Sequence, residues 1–84
     1  MSPVARAFVE QMRREVHNVL GPDVSKIFLG RVDAVLEDWS AGKLTAAQAC
    51  EKIQKSVALF ISEEKSQEIG NRCAPVVMRE SVSG

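Results

Sequence analysis

Apolar residues recur along the chain at spacings of three and four, and this rhythm marks out helical segments. In the first, Ala5, Val9, Met12, Val16 and Val19 form one stripe, against a polar stripe of Arg6, Glu10, Arg13 and His17. Residues three and four apart share a helix face, so the spacing predicts an amphipathic helix over about residues 3–20. Ser2 supplies a capping hydroxyl, and Pro3 suits the first helical position, where its missing N–H costs nothing. Glu10 and Arg14 stand at the favourable i,i+4 separation. Gly21 and Pro22 stop the helix, because glycine accepts the left-handed conformation after the last turn and proline cannot continue it.

A second stripe, Phe28, Val32, Val35 and Trp39 with Val24, Ile27 and Leu36 beside it, predicts a helix capped by Asp23 and ended by Gly42. Lys26, Asp33 and Glu37 fall on its far side with Gly30, which marks a kink, a close helix contact or a tolerated exposed glycine. The third helix opens on a capping box, with Thr45 as the cap and Gln48 three residues later reaching back to it. Ala46, Cys50, Ile53, Val57 and Phe60 then repeat the spacing, and Glu51 and Lys55 form a correctly oriented i,i+4 pair.

Past Ile61 the stripe fails, because Glu64 and Gln67 take the next positions on that face. Residues 62–73 either extend helix three or turn at Ser62 into a short fourth helix, with Ile61, Ile69 and Cys73 on one narrow face. Gly70-Asn71 reads as a helix stop and Pro75 as a barrier to any helix beyond it. The expected fold is therefore all-α: a small up-down three-helix bundle, with a short fourth helix at 62–73 as the open alternative. Residues 1–73 form a single helical domain and residues 74–84 an extended or disordered tail. Connections of a few residues favour antiparallel neighbours.

Composition adds limits. At 84 residues the chain holds one core, and a domain of this size buries only roughly 60–65% of its unfolded surface, which favours association. Lys and Arg total 11 and Asp and Glu total 11, so the basic excess of a phosphate-binding protein is missing, and nucleic acid is a secondary reading that needs a local patch on helix one (Arg6, Arg13, Arg14) or helix three. No run of apolar residues is long enough to span a membrane, and Met1 to Arg6 lack the features of a secretory signal, so the expected setting is cytoplasmic.

No chemistry follows from the motifs. The adjacent carboxylates Glu37-Asp38 and Glu63-Glu64 diverge by about 100° on a helix and share no proton. His17 lies on a polar stripe, and Cys50 on an apolar one where a buried thiol is inert. Cys50, Cys73 and one histidine do not assemble a tetrahedral zinc site by familiar spacing, and the scattered glycines form no phosphate loop. Catalytic, cofactor and metal residues are accordingly expected to be none. Three short helices leave large apolar residues over, which points to a non-catalytic interaction or regulatory module presenting an apolar helix face to a second copy of itself or to another protein. Phe8, Leu36, Trp39 and Leu59 are the expected anchors, since large aromatic and aliphatic side chains dominate interface energies. Val76, Val77 and Met78 in the tail could pack back or add to a partner.

Overall fold

Four helices run through residues 6–83, the part of the chain that the computed structural model describes: α1 (Arg6–Leu20), α2 (Lys26–Ser40), α3 (Ala46–Phe60) and α4 (Glu63–Ser83). The expected cap at Ser2, with Pro3 and Ala5, lies outside the described residues. The all-α class and the turn into a fourth helix hold. No strand occurs among the described residues.

The helix ends follow from local chemistry. Gly21, at φ 78°, donates its N–H to the His17 carbonyl at 2.9 Å, the left-handed stop in its simplest form. Gly42, at φ 84°, bonds to the Trp39 carbonyl while Lys43 bonds to that of Asp38, the two-bond version of the same stop. The capping box of α3 forms as expected, with Gln48 N–H donating to Thr45 Oγ1 at 3.1 Å and Thr45 N–H to Gln48 Oε1 at 3.0 Å. The cap of α2 is Ser25 and not Asp23: its hydroxyl accepts the Phe28 N–H at 3.2 Å. Starting the helix two residues later leaves Asp23 in the turn after Pro22 and starts the core stripe at Phe28.

The helices pack in a ring, α1 on α2, α2 on α3, α3 on α4 and α4 on α1, with the diagonal pairs apart. This is a four-helix arrangement with successive helices antiparallel. Its core is Val9, Met12, Val16, Val19 and Leu20 from α1, Phe28, Val32, Leu36 and Trp39 from α2, Ala46, Ala49, Cys50, Ile53 and Val57 from α3, and Ile69, Cys73 and Val76 from α4. On α2 the centre of the stripe is Leu36, with Val35 only half-buried. The spacing 28, 32, 36, 39 faces the groove between α1 and α3, the two helices that α2 packs on. Glu10 pairs with Arg13, not Arg14, because Arg13 also reaches Asp33 of α2 at 3.2 Å. Glu51 and Lys55 pair as expected, at 3.0 Å on an exposed face.

The C-terminal segment departs most from expectation. Neither Gly70 nor Pro75 ends the helix, and the segment expected to be an extended tail is helical to Ser83. Ser62 begins α4, its hydroxyl accepting the Lys65 N–H at 3.2 Å, and Glu63 and Glu64 occupy the first turn where the helix dipole favours negative charge. From there Ser66, Ile69, Cys73 and Val76 are buried, a three-four-three stripe whose first member is polar. Tertiary burial of that stripe against α1 and α3 outweighs the local penalties of glycine and proline. Gly70 faces the seam with α3: a Cβ there would meet the Gln54 side-chain amide, which would have to move aside. Gly30, by contrast, faces open space, so neither a kink nor a close contact explains it.

Candidate functional site

The four expected anchors separate into two groups. Leu36 and Trp39 are each 0% exposed and belong to the core, so they are structural and present nothing to a partner. Both lie on α2 and face the core shared with α1 and α3. Trp39 is buried with its Nε1–H unpartnered among the described residues, at a cost of about 1–3 kcal/mol. Phe8 is half-buried against the core near exposed Met78 and Val82, where α1 begins and α4 ends. Leu59 is 80% exposed at the end of α3.

The more developed apolar surface lies at the opposite end of the bundle, where α1 ends, α2 begins, and α3 turns into α4. A recess of about 640 Å³ opens there between Leu20, Val24, Ile27, Phe28, Phe60 and Ile61. Three of these are exposed: Ile27 at 80%, Phe60 at 62% and Ile61 at 39%. Phe60 falls at the end of the α3 stripe, one turn past Val57, where no opposing helix remains to cover it. It is held in place all the same. Its ring meets Phe28 edge-on, with centroids 6.4 Å apart, and the Arg31 guanidinium lies 5.2 Å from its centroid, within cation–π range. Lys65, also at the recess, donates to the Val19 carbonyl at 3.0 Å, tying the start of α4 to the last turn of α1. Asp23, Arg31 and Lys65 give the recess both signs of charge. Leu59, although exposed, does not line the recess.

Two basic side chains of α1 and α3 that a phosphate-facing patch would use are engaged within the fold. Arg13 is shared between Glu10 and Asp33, and Lys55 pairs with Glu51. Arg72 of α4 reaches Glu15 of α1 at 3.8 Å. His17 is exposed. Among the described residues no group of three or more His, Cys, Asp or Glu side chains is placed to hold a metal ion, and no helix is long and apolar enough to cross a membrane.

A second cluster lies in the seam between α3 and α4. Gln54 Nε2 donates to the Ser66 carbonyl at 3.1 Å, and Ser66 Oγ returns a bond to the Gln54 carbonyl at 2.8 Å. The Cys50 thiol donates to Gln54 Oε1 at 3.5 Å. Both cysteines are buried and free. The Cys73 thiol, donating toward a Cys50 thiolate, holds Cys50 below the usual thiol value, against the opposing effect of burial. Cys73 is pushed far up by the same interaction, with burial and the charges of Cys50 and Glu15 adding to it.

Fold and site together define a four-helix bundle with an apolar, aromatic-lined recess at one end and a polar seam carrying two thiols. Comparison with protein-family models, with curated proteins and with solved structures found no match to this chain.

Proposed function

We propose that the protein is a small non-catalytic interaction module that associates with a second copy of itself through the end of the bundle that carries the recess. The observation that supports this is the placement of Ile27, Phe60 and Ile61, all exposed, around one recess. Large apolar side chains gathered around a concavity mark an interaction surface more strongly than the same residues scattered. The presence of Asp23 with Arg31 and Lys65 at the recess suits a two-fold interface, in which each patch meets its own copy and must be complementary to itself. The proposed mechanism is occupancy of a surface, in the cytoplasmic setting read from the sequence.

Light scattering over a range of concentrations tests this. The mass should rise from one chain toward two, and moderate salt should leave the rise largely intact, since apolar burial drives it. Phe60→Asp should hold the mass at one chain with unchanged helicity, because Phe60 is exposed. A wild-type mass that stays at one chain at every concentration refutes self-association, and a steep loss with salt refutes the apolar mechanism.

A further inference from the structure

The seam between α3 and α4 brings two thiols into register. Gln54 is bonded to Ser66 in both directions, and the bare Cα of Gly70 lies against the same Gln54 amide. The helices are antiparallel, so one turn toward the start of α3 corresponds to one turn toward the end of α4. From Gln54 that step leads to Cys50, and from Gly70 it leads to Cys73. The missing side chain at Gly70 leaves room for the Gln54 amide at this level. Cys50 retains 8% exposure and Cys73 none.

We propose that Cys50 is an oxidation site for hydrogen peroxide, with Cys73 as its resolving thiol, and that the product is an intramolecular disulfide joining α3 to α4. In the first step the Cys50 thiolate attacks one peroxide oxygen, the O–O bond breaks, and a sulfenic acid forms as hydroxide leaves. In the second step the Cys73 sulfur attacks the Cys50 sulfur, the S–O bond breaks, and the hydroxyl departs as water with the Cys73 proton. Two thiols lose two electrons, and one peroxide becomes two waters. The roles follow from the surroundings. Both residues are buried, but Cys50 keeps 8% of its surface exposed against none for Cys73, and its neighbour favours its thiolate. Cys73 keeps its proton while Cys50 carries charge, and that restraint ends when Cys50 becomes a neutral sulfenic acid.

The full chain treated with a slight excess of hydrogen peroxide should lose two hydrogens by intact mass, at a rate independent of protein concentration. Peptide mapping without reductant should join Cys50 to Cys73. The bridge should raise the thermal midpoint by roughly 10–20 °C through the shortened unfolded chain. In Cys73→Ala the sulfenic acid should persist and be captured on Cys50 by dimedone, while Cys50→Ala should give neither product. Should Cys73→Ala fail to fold, the time course of dimedone capture in the wild type decides the same point, a transient adduct on Cys50 being expected. A peroxide-treated chain that keeps both thiols, or links between molecules, overturns the proposal, as does dimedone capture on Cys73 first.

Discussion

Pro75 is exposed in the interior of a 21-residue helix, and replacing it tests whether α4 runs through it. Proline there lacks the N–H that would bond to the Asn71 carbonyl, and its ring crowds that carbonyl, a penalty of about 3 kcal/mol within a helix. Proline also restricts the unfolded chain, which returns roughly 0.4–1 kcal/mol of that cost. Because the ring is exposed, little packing is lost with it. Pro75→Ala should therefore stabilise the protein by about 2 kcal/mol, or roughly 8–16 °C in thermal midpoint for a domain of this size. Urea unfolding followed by far-ultraviolet circular dichroism measures the change, and an unaltered slope shows that the unfolded state is comparable. A midpoint that is unchanged or lowered refutes the reasoning, since alanine in an extended tail recovers no hydrogen bond.

Two further substitutions probe the packing. Gly70→Ala should gain about 1 kcal/mol from helix propensity in a Gln54→Ala background but close to nothing in the wild type, where the new methyl displaces the Gln54 amide from the Ser66 carbonyl; equal effects in both backgrounds, by urea midpoints, would remove the close approach. Leu36→Ala should cost about 2–5 kcal/mol as a core truncation, whereas Leu59→Ala should stay within about 0.5 kcal/mol, and comparable losses by thermal unfolding would contradict the assigned burial.

Much of α1, α2 and α3 was legible in the sequence because each stripe and each stop signal agreed. Gly21 and Gly42 end helices where glycine alone relaxes the left-handed backbone, and Thr45 and Gln48 cap α3 with side chains separated by one turn. The length of α4 was not legible, because its evidence is non-local. Ser66 takes a core position by bonding to Gln54, which is distant in sequence, and Gly70 leaves room for the Gln54 amide when its usual local meaning is a stop. Size and apolarity alone nominate Leu36 and Trp39 as anchors although both face the core, while Phe60 completes a stripe and is nonetheless exposed. Whether the last residue of a stripe is covered depends on where the neighbouring helices end, and periodicity within one helix does not contain that.

α4 is also the helix least supported by its own sequence. Its Ser62 cap and leading glutamates favour initiation, but Gly70 and Pro75 oppose propagation by about 1 and 3 kcal/mol, and its buried stripe is only Ser66, Ile69, Cys73 and Val76. What keeps it helical is packing on α1 and α3, so its formation is a tertiary event. Detachment would uncover the long apolar face that the three-helix pattern implies, in addition to the recess that is always open. Cys73 lies between Gly70 and Pro75, the two weak points. A bond from there to Cys50 would hold the stretch where α4 is least able to hold itself, so that oxidation of the seam would close the hidden face while leaving the Phe60 recess available.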